Sequence, residues 1–231
     1  MIPVHVRTPG APLPDGAVYY VVAAEGVFLA RRNHLFESVT KVDRVAGLES
    51  QAPVLNLYFQ KVPRALLERV YGFFQFVHQR WEGEAVVLLY YSPELGFAVE
   101  VPPQKLFRYQ TLFGWRTEGR VEYGQVARPP GYVKLGDIHS HADMPAYFSM
   151  TDDRDDAEDG LRIVIGSVNR SFPDVRASFV TGGYRFKLDA EDVLEDFSVP
   201  LPPPAEWTRR ITCRYENLRS RTPQGDYRGK W

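Results

Sequence analysis

The chain is short of cysteine. Cys213 is the single one in 231 residues, which excludes an internal disulfide and a cysteine-rich metal site. A reducing compartment fits, and the cytoplasm is the expected one. Long apolar runs are missing too. None nears the ~18 residues that span a bilayer, so no membrane segment is expected. The start of the chain lacks a basic stretch followed by an apolar one, so no signal peptide is expected either. Charge of one sign is also absent: the formal net charge of -1 removes the global electrostatic case for nucleic acid. Hydrophobic content of 44% and charged content of 25% are ordinary for a globular protein. The length suits one large domain, or one domain with an appendage.

Histidine is scarce, and its placement is informative. Two of the five histidines fall in one tripeptide, His139-Ser140-His141. Seven residues then precede Ser149, and Asp152 follows three positions later. Tyr132 to Ile138 reads as a strand after a Pro-Pro-Gly turn. Side chains at i and i+2 of a strand share a face, so His139 and His141 project side by side. Ser149-Met-Thr-Asp152 reads as a helix start, with a hydroxyl at the N-cap and acids in the first turn. Two imidazoles and one carboxylate meeting from a strand end and a helix start make a three-ligand zinc site, one ion per chain. Three protein ligands leave a position open for water, which marks a catalytic zinc.

His-x-His, seven residues and Ser-x-x-Asp together form the spacing of the JAMM motif. On these residues the sequence resembles the MPN+ metalloproteases (JAB, Mov34/PAD-1), in their prokaryotic branch, over roughly residues 52 to 197. The resemblance implies a cytidine-deaminase-like α/β (α+β) core: a mixed central sheet flanked by helices. It also implies a zinc-dependent (iso)peptidase that hydrolyses the bond after the C-terminus of a ubiquitin-like protein. Carried over residue by residue, His139, His141 and Asp152 are the metal ligands and Ser149 stabilises the intermediate. The general base is a Glu at the entrance to an earlier buried strand, and Glu84 matches that place; Glu82 shares its parity and is the alternative. The family usually has Pro directly after the second His, where this chain has Ala142. The expected partners are a ubiquitin-like protein or its conjugate, with activating and conjugating (E1/E2-like) enzymes of the same operon. Two other readings are a non-catalytic MPN scaffold module in a larger assembly and a RadC-like DNA-associated protein. RadC-like relatives usually carry His-Asn-His-Pro rather than His-Ser-His-Ala.

The rest of the chain divides into three parts. Residues 1–51 form an N-terminal arm and β-extension. Residues 1–16 hold four prolines and are expected to be irregular; a hairpin spans Val18 to Ala30 around Glu25-Gly26, and another strand lies within Phe36 to Val45. Residues 52–199 form the JAB/MPN core. A strand is expected over Pro53 to Phe59. Leu66, Val70, Phe73, Val77 and Trp81 recur at helical steps, giving a helix over about 63–81. Ala85 to Tyr91 reads as a buried strand, Phe97 to Val101 as its return, and Pro102 to Pro130 as a strand and loop packed on the sheet. Leu161 to Val168 reads as buried strand, Val175 to Val180 and Tyr184 to Leu188 as a further pair, and Ala190 to Phe197 as a short helix. Ser167 to Asp174 is short where eukaryotic ubiquitin-cleaving relatives carry a long insertion, which favours a prokaryote-like member. Residues 200–231 read as a Pro-rich spacer ending the domain. A basic tail follows, with seven Arg or Lys against three acids from Ala205 onward.

Overall fold

A computed structural model describes residues 2–112, 114–148 and 158–216. The chain divides into two compact units, Met1–Leu55 and Asn56–Trp231. No helix among the described residues is long and apolar enough to cross a membrane.

The first unit is a four-stranded sheet. β1 (Val4–Val6), β2 (Val18–Ala23), β3 (Gly26–Arg32) and β4 (Glu37–Lys41) lie in sequence order. β2 and β3 form the expected hairpin, and β4 falls inside the expected strand. The arm is not irregular throughout. β1 pairs in parallel with β2, because Tyr20 donates its N–H to the Pro3 carbonyl and Arg7 donates to that of Val22, at 2.8 Å each. The prolines flank this short strand and leave its donors intact. The core here is small: Tyr19, Val21 and Ala30, with Leu13, Ala23 and Phe28 against them.

The second unit packs one long helix against a mixed sheet. α1 (Arg64–Trp81) begins after Pro63, whose fixed φ suits a helix start and whose missing N–H costs nothing there. Its buried face carries Leu67, Val70, Tyr71, Phe73, Phe74 and Val77. The sheet contains β5 (Val86–Ser92), β6 (Gly96–Glu100), β9 (Val133–Ser140), β10 (Gly160–Gly166), β11 (Asp174–Thr181) and β12 (Tyr184–Leu188). Its order is β12-β11-β10-β9-β5-β6. Only the β9–β10 pairing is parallel, as expected for two strands joined by a long crossover. Alternation sorts the side chains. Val87, Leu89, Ile138, Leu161, Ile163 and Ile165 join the α1 residues in one core cluster, so Asp137, His139, Arg162 and Val164 stand on the opposite face.

A third sheet, β13-β7-β8, is built from β7 (Gln104–Thr111), β8 (Gly114–Tyr123) and β13 (Ile211–Glu216). The stretch expected as a strand and loop is therefore a hairpin. The presumed spacer and tail also behave differently from expectation, as far as residue 216. β13 pairs in parallel with β7, Ile211 is buried, and Trp207 stands edge-on to Phe73 with ring centroids 5.8 Å apart. The prolines run across α1 instead of leading away. Leu201 donates its N–H to the Glu68 carbonyl at 2.9 Å, and a Cβ on Gly72 would meet the Leu201 carbonyl oxygen at 1.8 Å. Gly72 thus admits a backbone that any other residue would exclude.

Two further expectations change. Residues 53–59 are not a strand; Phe59 instead packs on Tyr91 and Phe97, with centroids 6.1 and 6.4 Å away. The helix at 190 stops at Val193, because Val62 takes the next backbone groups: Val62 donates to the Val193 carbonyl and accepts from the Glu195 N–H.

Candidate metal centre

The two histidines sit at the end of β9. His139 pairs with Val164 of β10 on one side and with Val86 of β5 on the other. His141 follows on the same face, and its N–H donates to the Ile165 carbonyl at 3.0 Å. The rings lie 5.4 Å apart, centroid to centroid, at an interplanar angle of 37°. Two imidazoles bound through nitrogen at about 2.1 Å to one tetrahedral ion would set their centroids about 5 Å apart. The spacing fits a shared cation. Among the described residues, no group of three or more His, Cys, Asp or Glu suited to a metal is found. Ser149 and Asp152 lie outside the described residues.

Strand alternation assigns Glu84 to the same face. The β5–β9 register continues one step past Val86, since Ser140 donates its N–H to the Ala85 carbonyl and Ala85 donates to Ser140 Oγ, both at 2.9 Å. Ala85 and Ser140 turn into the core, so alternation carries Glu84 opposite His141. Its carboxylate lies beside β8, where a Cβ on Gly119 would come within 3.7 Å of Glu84 Oε1. Glu82 is used otherwise. It ends α1 in a left-handed conformation (φ 54°), and its carboxylate pairs with the Arg108 guanidinium at 3.3 Å.

Behind His139 stands a carboxylate that the spacing argument did not include. Asp137 Oδ1 lies 3.3 Å from His139 Nδ1, and Asp137 Oδ2 lies 3.3 Å from Arg162 Nη1. Burial alone would raise the Asp137 pKa. The hydrogen bond with His139 and the charges of Arg162, His139 and Lys134 outweigh it and hold the carboxyl below its ordinary value. Its i−2 position relative to His139 on a strand was the available signal. Arg162 had no such signal, because cross-strand register is not written in local sequence.

The turn after His141 is unlike one built on proline. Ala142 has φ 50°, which a proline ring locked near −65° cannot reach. The turn is pinned to the far end of β10 by Ser167 N–H to Met144 carbonyl at 2.7 Å and Val168 N–H to Ala142 carbonyl at 2.9 Å. Gly166 makes room for it, since a Cβ there would lie 2.3 Å from the Ala146 nitrogen. Tyr147, half-exposed, sets its ring 4.5 Å from that of His141 at 73°.

Residues 73–180 match the family described as prokaryotic homologues of the JAB domain. That segment is a prokaryotic JAB domain. It runs from the middle of α1 through β11 and contains Glu84, His139 and His141. The JAB family includes hydrolases. Among solved structures, a Desulfitobacterium hafniense protein known from its solution structure is 13% identical, over 70% of this chain and 97% of its own, with a TM-score of 0.35. At that score the likeness carries no argument. No curated protein matches the chain.

Proposed function

We propose that this JAB domain is a zinc-dependent (iso)peptidase, cleaving after the C-terminus of a ubiquitin-like protein. The observation that carries the reading is the pair of rings, His139 and His141, side by side at the end of β9, and the β5–β9 register continued past Val86 puts Glu84 across from His141. His139, His141 and Asp152 would hold one zinc ion. Bound there, zinc supplies Lewis acidity and brings the pKa of water down to about 7. Glu84 takes a proton from the attacking water and returns it to the leaving amine. Ser149 donates a hydrogen bond to the oxyanion as its charge develops. The substrate tail adopts an extended form and adds along a strand edge; β8, which ends its sheet among the described residues and passes next to Glu84, offers one.

The test is Glu84→Gln, assayed on ubiquitin-like proteins fused to a C-terminal reporter. The variant should retain one zinc per chain and lose cleavage. Full activity in it removes Glu84 from the role. Purified protein without a divalent cation leaves the non-catalytic scaffold as the reading.

A further inference from the structure

We propose that Asp137 and Arg162 form a positioning pair that fixes which ring nitrogen of His139 faces the cation. This rests on the zinc reading above. A neutral imidazole carries one proton, and the nitrogen hydrogen-bonded to a carboxylate keeps it. The other nitrogen then holds the lone pair that a metal needs. Asp137 Oδ1 stands at Nδ1 of His139 at 3.3 Å, so Nε2 is the ligating atom.

The sheet itself assembles the pair. Asp137 and His139 share a face of β9, and Arg162 is register partner to Asp137 across the parallel β9–β10 ladder. Arg162 is anchored a second time, since its Nη2 donates to the Glu158 carbonyl at 2.7 Å. Both side chains are largely out of solvent, at 16% exposure for Asp137 and 10% for Arg162. The ion pair keeps the carboxylate beside the imidazole. A purely structural ion pair would need the same burial but no third member at 3.3 Å on the histidine.

Asp137→Asn separates these roles. Arg162 donates only, so it claims the amide oxygen and turns the NH2 group toward His139 Nδ1. That donor forces the proton onto Nε2, the wrong tautomer for binding. Zinc affinity, read by competition with a chelator of known strength, should fall about 10- to 100-fold. In metal-free protein, 15N shifts of the His139 ring should show an Nδ1 proton, moved to Nε2 in the variant. Should Asp137→Asn fail to fold with Arg162 left uncompensated, Asp137→Leu/Arg162→Leu removes both charges and should show the same loss of zinc affinity. A folded variant with undiminished zinc affinity, or an unchanged His139 tautomer in Asp137→Asn, overturns the positioning role and leaves the zinc reading standing. Failure of the unaltered protein to bind zinc at all defeats both.

Discussion

Gln104 is the most telling single residue to perturb outside the histidine pair. It begins β7, is 2% exposed, and brackets the backbone of Val86. Its Nε2 donates to the Val86 carbonyl at 2.7 Å, and its Oε1 accepts from the Val86 N–H at 2.9 Å. Val86 lies opposite His139 and two residues after Glu84, on a side of β5 where the β6 pairing has already ended at Leu88. The glutamine therefore acts as a substitute strand. Gln104→Met keeps the approximate volume and orphans both backbone groups. Each orphan costs about 1–3 kcal/mol, so the gross loss is about 4 kcal/mol. An apolar side chain has no amide to desolvate, which returns about 1–2 kcal/mol. The net loss is about 2–3 kcal/mol, or a Tm fall of about 5–10 °C for a unit of this size. All four tryptophans lie beyond Leu55, so urea unfolding followed by tryptophan fluorescence reports on this unit alone. The proposed (iso)peptidase activity should fall further than stability does, because the entrance to β5 loosens beside Glu84. A loss below about 1 kcal/mol refutes the reasoning, since it would mean water reaches Val86 freely.

Three other outcomes follow from the same contacts. Ala142→Gly should stabilise by about 1 kcal/mol, because a left-handed residue with a Cβ is strained, and Ala142→Pro should cost about 3 kcal/mol; equal melting temperatures for the two would refute this. Gly72→Ala gains about 1 kcal/mol of helix propensity but meets the Leu201 backbone at 1.8 Å; the clash should win, with a net loss seen in thermal unfolding and faster hydrogen exchange across 200–204. The hydrogen bond with Lys134, at 2.6 Å, and the Lys134 charge lower the Glu158 pKa. Its folded value lies below the unfolded ~4.3, so its stabilisation is present above that pH and disappears as pH falls through the folded value. With the side chain 68% exposed, the effect is under about 1 kcal/mol; the stability gap between the protein and Glu158→Gln should be present at pH 7, disappear as pH falls through the lowered folded value, and shrink in salt.

Much of the sheet could be read from periodicity. The apolar runs at 85–91 and 161–168 became β5 and β10, and the i, i+2 spacing of the histidines fixed their common face. Parity alone left Glu82 beside Glu84; the distinction needed the left-handed end of α1, which no local pattern announces. Gln104 was illegible because a glutamine among Lys and Arg reads as surface, and only the early end of β6 gives it backbone to bond. The prolines at 200–204 read as a spacer because proline stops helices. What they do here depends on Gly72, some 130 residues away. Ala142 marks a departure visible in sequence, but its backbone angle is set by bonds to Ser167 and Val168, which local spacing cannot supply.

These contacts converge on β10. Its first half supplies Arg162 to Asp137, and through it orients His139. Its last residues hold His141: the Ile165 carbonyl takes the His141 N–H, and the bare Gly166 receives the turn that follows. The two rings are thus fixed by opposite ends of one strand that is buried along its whole length. A one-residue slip of this strand would turn Arg162 into the apolar core and bring Ile163 against Asp137, so the spacing between the rings is protected by the core itself. That accounts for the division of labour in the sequence. In the proposed reading the motif residues carry the chemistry, while the run at 161–165, which contains no ligand, keeps the histidines at a distance that one cation can bridge.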